Sequence, residues 1–122
     1  MMYEALVVDY AGTYTDPGVA AVVDVVRAKG LRVALLSNAD YVPRGLPAVF
    51  DAVVVSGEVG FGKPDPRIYE LAANRIRVAP SRCVYVDDVA AYVRGAVAVG
   101  MTGVHHTAVE STVEELAVLL DL

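Results

Sequence analysis

Four short apolar runs of the sequence are each followed by polar residues that can do chemistry. These residues are Asp9, Thr13, Ser37, Asn38, Lys63, Asp87 and Asp88. Polar groups are costly to place beside an apolar core without a purpose. Three carboxylates brought to one place repel one another unless a cation lies among them. Carboxylates, a backbone carbonyl and waters suit Mg²⁺, and such an ion beside a lysine and hydroxyl or amide donors forms a pocket for a phosphoryl group.

Lys63 is one of only two lysines in the chain, the other being Lys29. Arginine carries the remaining basic charge, so a lysine in the segment Gly-Lys-Pro indicates a position that needs a compact point charge. The alternative interpretation is a solvated loop charge, which is the ordinary place for a lysine.

The apolar runs are rich in valine and too short for buried helices, which predicts strands covered on both faces. They are residues 5–8, 33–36, 52–55, 84–86 and, more weakly, 103–105. Segments with helical periodicity lie between them. Asp16 before Pro17 and Asp65 before Pro66 are typical helix starts, a third helix ends at Gly100, and Ser111 with Glu114 predicts a capping box.

Alternating strands and helices predict an α/β fold, a three-layer Rossmann-like parallel sheet of about five strands with helices on both faces. We expect residues 1–122 to form a single domain. In such sheets ligands bind beyond the carboxyl ends of the strands. The polar residues above lie at those ends, so they are the candidate site.

Composition excludes several functions. The 122 residues carry a net charge of −5 and are 56% hydrophobic and 20% charged, which is typical of a globular domain. No basic stripe is present to replace phosphate counterions, so we expect no nucleic-acid partner. No apolar run reaches about 18 residues, so we expect no membrane span. The single Cys83 excludes an internal disulfide, and the start of the chain lacks signal-peptide features, which favours a cytoplasmic location.

The order of these motifs resembles the haloacid dehalogenase-like (HAD) hydrolase superfamily. The motifs are Asp-x-x-Gly-Thr from Asp9, Ser37-Asn38, Gly-Lys-Pro-Asp-Pro around Lys63, and Asp87-Asp88. The resemblance covers nearly the whole chain and implies a HAD-like fold without a cap domain. It also implies Mg²⁺-dependent phosphomonoester hydrolysis through an aspartyl-phosphate.

The resemblance assigns the roles as follows. Asp9 would be the nucleophile and a metal ligand, and Lys63 would neutralise the nucleophile and the transferring phosphoryl group. The backbone carbonyl of Ala11 and the Asp88 carboxylate would bind Mg²⁺ directly, whereas Asp87 would act through water or support the site from behind. Four residues would form the substrate-binding loops. Gly12 would permit a tight turn, and Thr13 would form a hydrogen bond within that loop. Ser37 would bind a phosphoryl oxygen, and Asn38 would offer amide donors.

Two positions depart from the family pattern. Ala11 stands where the phosphatases of the superfamily have a second Asp, which protonates the leaving oxygen and later activates water. General acid–base help of that kind is worth about 10²–10⁴ in rate, so turnover of ordinary phosphate esters should be slow. Tyr92 stands where related sequences commonly have Asn or Asp. We expect it either to weaken metal binding or to pack.

Several alternatives follow from these departures. Asp-x-Ala-Gly-Thr also resembles phosphonoacetaldehyde hydrolase, but that chemistry needs a cap-domain lysine, and Lys29 is expected at the opposite edge of the sheet. The apolar cap of a dehalogenase is missing too, and a receiver domain places its acids differently. A pseudoenzyme that binds phosphate or a phosphoprotein stays open. A small phosphorylated substrate as the partner and assembly into a homo-oligomer stay open as well. A role for His105 and His106 at the rim of the site also stays open.

Overall fold

The computed structural model describes residues 2–122 and contains one five-stranded sheet in which every pair of strands is parallel. The strand order is β3-β2-β1-β4-β5. The strands are β1 Ala5–Val8, β2 Arg32–Ser37, β3 Ala52–Val55, β4 Cys83–Asp87 and β5 Thr102–His105. All five lie on the predicted runs. In the register Val8 pairs with Leu35 and with Val86, so the carboxyl ends of β1, β2 and β4 meet at one edge.

Five α-helices connect the strands. They are α1 Pro17–Ala28, α2 Ser56–Val59, α3 Pro66–Arg75, α4 Ala90–Ala98 and α5 Val109–Leu120. A π-helical turn, Tyr10–Tyr14, follows β1, and a short 3-10 turn, Pro80–Arg82, precedes β4.

The core has two halves, one on each face of the sheet. On one face Leu6 and Val8 pack with α1 and α5, for example against Val23 and Leu116. On the other face Val7 packs in a cluster with α3 and α4. Alternate residues of a strand point to opposite faces, so β1 supplies both halves. The three-layer α/β arrangement predicted from the sequence is confirmed.

The predicted helix starts are confirmed at Asp16 and Asp65, and the prediction at Ser111 is wrong. The side chains of Asp16 and Asp65 accept hydrogen bonds from the backbone N–H two residues on, at 3.2 Å and 2.9 Å. α5, however, begins at Val109, and Ser111 donates from inside the first turn to the Ala108 carbonyl. Val109 packs so closely on Gly18 of α1 that a Cβ there would lie 2.3 Å from it. The predicted capping box is therefore not formed, and the first residue of α5 packs against α1.

The connections leave no room for an inserted cap within residues 2–122. Between β1 and β2 the chain forms only the π-helical turn and α1, and between β2 and β3 it forms only a loop. The predicted capless arrangement therefore holds for this part of the chain. No helix of residues 2–122 is long and apolar enough to cross a membrane.

Candidate active site

Lys63 is the centre of the polar cluster at the carboxyl edge of the sheet. Only 5% of the residue is exposed. Its ammonium group donates to Asp9 Oδ1 at 2.8 Å and to Asp87 Oδ2 at 2.9 Å. It also lies 3.1 Å from both the Leu36 carbonyl and the Tyr85 hydroxyl. A buried charge is tolerated when it is paired and hydrogen-bonded, so these contacts fix the ammonium beside Asp9. The interpretation of Lys63 as a solvated loop charge is wrong.

Thr13 links Asp9 to Asp88 through hydrogen bonds of its hydroxyl group. Its hydroxyl lies 3.2 Å from both Asp9 Oδ2 and Asp88 Oδ1, and it accepts from the Asp88 backbone N–H at 3.1 Å. Asp9 is 7% exposed and Thr13 is fully buried. The turn after β1 is thereby held against the end of β4.

Gly12 makes this close approach possible. Its φ is +78°, and a Cβ at this position would lie 2.6 Å from Asp88 Oδ2. A side chain would therefore be strained by the backbone conformation and would also collide with the carboxylate. Ala11, immediately before it, is exposed and extended, with φ −67° and ψ 127°.

Asp87 and Asp88 are adjacent in sequence but lie in different environments. Asp87 is fully buried and accepts from Lys63, from the Tyr85 hydroxyl at 2.5 Å and from the Val89 N–H at 2.9 Å. Asp88 is exposed. One oxygen each of Asp9, Asp87 and Asp88 lies within 4.8 Å of the others. The hard oxygen donors of Asp9 and Asp88 fit Mg²⁺, whereas the Asp87 carboxylate accepts from Lys63, Tyr85 and Val89 inside the protein.

The carboxyl groups of Asp9 and Asp88 differ in pKa. Burial raises the pKa of Asp9 from 3.8 to about 6, and the favourable charge of Lys63 opposes this only in part. Burial also acts to raise the pKa of Asp88, but hydrogen bonds, first with Asp9 and then with the backbone, Thr13 and Asp87, lower it below 3.8 overall. As the pH falls, Asp9 is therefore the group of this pair that binds a proton first.

This difference predicts how the stability of the metal-free protein depends on pH. The pKa of Asp9 is raised in the folded state, so its contribution is fully present below pH 3.8 and is lost as the pH rises through about 6. We expect the free energy of unfolding of the wild type, measured by urea denaturation in EDTA, to fall relative to Asp9→Asn over this range. A difference between the two proteins that stays constant with pH would contradict the assignment.

Asn38 holds the backbone of Lys63. Its amide Nδ2 donates to the Lys63 carbonyl at 3.0 Å, and its Oδ1 accepts from the Lys63 N–H at 2.9 Å. The family resemblance implies that Asn38 offers amide donors to the substrate. Its observed contacts instead position the loop that carries Lys63. Ser37, the last residue of β2, is 4% exposed and pairs in the sheet with Val55. Lys63, Asp9 and Ser37 thus lie at the same edge.

Two tyrosines complete the surroundings of Lys63, and sequence reasoning missed the first of them. The Tyr85 hydroxyl bonds both Lys63 and Asp87. Tyr85 lies two residues before Asp87 on β4, so strand periodicity places both on one face and is the signal that identifies it. The ring of Tyr92 lies 5.0 Å from the Lys63 ammonium, a distance typical of a cation–π contact. Of the two outcomes expected for Tyr92, packing is the one observed.

The remaining polar candidates lie outside this cluster or at its rim. His105 Nε2 is 2.9 Å from the Asp88 carbonyl and the residue is exposed. His106 is buried and bonds Thr112, with Nδ1 to Oγ1 at 2.6 Å. The two histidines therefore diverge as expected for neighbours on an extended chain. Burial raises the pKa of Cys83 to about 12, which fits a core residue. The Lys29 ammonium lies at the carboxyl end of α5.

Comparison with known proteins gives the family. The profile of the haloacid dehalogenase-like hydrolases matches residues 2–100. An uncharacterized protein from Corynebacterium glutamicum has a solved structure with a TM-score of 0.88 and 32% sequence identity, covering 98% of this chain and 96% of that one. The chain belongs to the haloacid dehalogenase-like hydrolases, as the order of its motifs predicts.

Curated relatives include larger proteins. Acyl-CoA dehydrogenase family member 10 of Mus musculus is 33% identical over an alignment of 124 positions that covers 97% of this chain and 12% of that protein. Phosphoserine phosphatase of Thermus thermophilus is 42% identical over an alignment of 69 positions that covers 51% of this chain and 28% of that protein. The chain thus spans less than a third of the length of these two relatives.

Proposed function

We propose that this chain is a Mg²⁺-dependent phosphohydrolase in which Asp9 accepts the phosphoryl group and in which turnover of ordinary esters is slow. The observation that carries the proposal is the position of the Lys63 ammonium, 2.8 Å from Asp9 and 2.9 Å from Asp87. The family of the chain and the phosphatase among its relatives support the same chemistry.

The residues divide the work as follows. Lys63 stabilises the anionic form of Asp9, which attacks phosphorus, and offers positive charge to the phosphoryl oxygens. Ser37 and the backbone of the turn after β1 bind those oxygens. Asp9, Asp88 and the Ala11 carbonyl would hold Mg²⁺, and Asp87 would orient the site through Lys63. When bound, the ion supplies positive charge that polarises the phosphoryl group.

The metal and nucleophile assignments are tested by binding Mg²⁺ together with beryllium fluoride, which mimics an aspartyl-phosphate. We expect the combination to raise the thermal midpoint of the protein, because a ligand at 100 times its Kd stabilises by about 2.7 kcal/mol. Asp88→Asn should remove the effect of Mg²⁺. Asp24→Asn, an exposed position on α1, serves as the matched control and should retain it.

The outcome that contradicts this assignment is a stabilisation that persists in Asp88→Asn. In a crystal soaked with the same reagents, we expect density for beryllium fluoride on the Asp9 carboxylate. Density elsewhere would remove Asp9 as the nucleophile.

A second candidate function is a binding module that holds phosphate or a phosphoprotein without turnover. Ala11 favours it, because the residue two positions after the nucleophile has no acid group. Calorimetric binding of phosphate with Mg²⁺, together with no phosphoenzyme and no release of phosphate from any donor, would select this alternative.

A further inference from the structure

The groups around Asp9 are already bonded to one another. Lys63 is buried between Asp9 and Asp87, the Tyr85 hydroxyl donates to Asp87, and Thr13 lies between Asp9 and Asp88. Ala11, at the position where the phosphatases that the motif resembles have their second Asp, carries only a methyl group and is exposed. His105 is a titratable group at the rim, and its Nε2 contacts the Asp88 carbonyl. The three carboxyl groups of the cluster are thus engaged with Lys63 or Thr13, and position 11 adds no further one.

We propose that the preferred substrates of this site are acyl phosphates and related mixed anhydrides, not phosphate esters of alcohols. This inference rests on the proposed function. A carboxylate leaving group has a pKa of about 4 and departs as a stable anion at neutral pH. A departing alkoxide needs a proton in the transition state, because the pKa of its conjugate acid is near that of water, about 15.7. Without an acid at position 11, only the first kind of leaving group departs readily.

The reaction proceeds in two balanced steps. In the first, an Asp9 carboxylate oxygen forms a bond to phosphorus while the bond from phosphorus to the leaving carboxylate breaks, and the leaving oxygen keeps the electron pair. In the second, a water oxygen attacks the same phosphorus, the bond to Asp9 breaks with its electron pair returning to Asp9, and the proton of water passes to solvent.

Ala11 affects the second step as well as the first. An Asp at this position would take the proton from the attacking water, and a methyl group does not. We therefore expect the aspartyl-phosphate to accumulate when the donor is an acyl phosphate. Ala11 and Asp88 are both exposed, so the acyl part of the donor can extend into solvent.

The test compares acetyl phosphate with phenyl phosphate, whose leaving phenol has a pKa of about 10. The measured quantity is kcat/KM, which reports formation of the aspartyl-phosphate when that step is irreversible. We expect Ala11→Asp to raise kcat/KM for phenyl phosphate by about 10²-fold or more and for acetyl phosphate by less than about tenfold. The control is Ala11→Asn, because Asn matches Asp in size but has no acid group. It should not raise kcat/KM for either substrate.

Phosphoenzyme trapped by acid quench and measured by mass spectrometry gives a second readout. With acetyl phosphate, the phosphorylated fraction should be high in the wild type and lower in Ala11→Asp, because the new carboxylate speeds the second step. Because Ala11 is exposed, both variants should fold, and urea denaturation checks this directly.

The results that overturn the inference differ from those that overturn the proposed function. The inference fails if Ala11→Asp changes both substrates equally or neither, or if His105→Gln selectively abolishes turnover of phenyl phosphate. The proposed function itself fails if no phosphoenzyme forms from either donor, or if Asp9→Asn still releases phosphate from acetyl phosphate.

Discussion

Replacing Asp9 with Asn is expected to reduce phosphate transfer by about 10⁴-fold or more, because removing the nucleophile of a covalent mechanism removes the whole pathway. The side chain of Asn has nearly the same shape, its Oδ1 can still accept from Lys63, and its Nδ2 can donate to the Thr13 hydroxyl where Asp9 Oδ2 accepts. The loss should therefore be chemical and not structural. The measurement is Mg²⁺-dependent release of phosphate from acetyl phosphate, with trapped phosphoenzyme as the second readout.

The matched control is Asp24→Asn, which makes the same chemical change on the exposed face of α1. It should retain wild-type activity. Residual activity above one hundredth of the wild type in Asp9→Asn would contradict the nucleophile assignment. In metal-free buffer at neutral pH, the same variant should be at least as stable as the wild type, since burial raises the pKa of Asp9 to about 6 and makes its charged form unfavourable.

Replacing Lys63 with Met is expected to lower the free energy of unfolding by about 3–5 kcal/mol, because removing one partner of a buried ion pair leaves an uncompensated charge. Asp87 is fully buried and would keep only the Tyr85 hydroxyl and the Val89 N–H as partners. Phosphate transfer should be lost as well, since the ammonium lies beside Asp9, the proposed nucleophile. Urea denaturation in EDTA measures the stability.

Two further variants separate the charge effect from simple packing. Lys29→Met removes a partly exposed ammonium at the far end of α1 and should change stability by less than about 1 kcal/mol. The double variant Lys63→Met with Asp87→Asn removes the stranded charge, so it should recover most of the lost stability without recovering activity. If the double variant is no more stable than Lys63→Met alone, the ion pair is not the cause.

The sequence predicted the sheet well because its strands are short, valine-rich and buried on both faces. The ends of β1, β2 and β4 follow directly from those runs, and the adjacency of Asp9, Ser37 and Asp87 follows from parallel pairing. Lys63 is different, since α2 and a loop separate it from the end of β3. Its place in the site was predicted from the order of the motifs and not from strand position.

Other features depended on contacts that a linear pattern does not contain. Asn38 bonds the Lys63 backbone because the loops after β2 and β3 lie side by side. Val109, the first residue of α5, lies against Gly18 of α1, which is distant in sequence. Tyr92 packs over a buried ammonium, and only the three-dimensional arrangement shows what lies beneath its ring.

The bonds that Lys63 makes join segments far apart along the chain, 54 positions from Asp9 and 24 from Asp87. These segments belong to β1, the loop after β3 and β4, so the ammonium acquires its partners only when three separate crossovers have closed. No fragment that ends before β4 can assemble the cluster. The proposed activity therefore requires β1, the loop after β3 and β4 to be assembled together, and a refolding protein should regain activity only after these long-range contacts form.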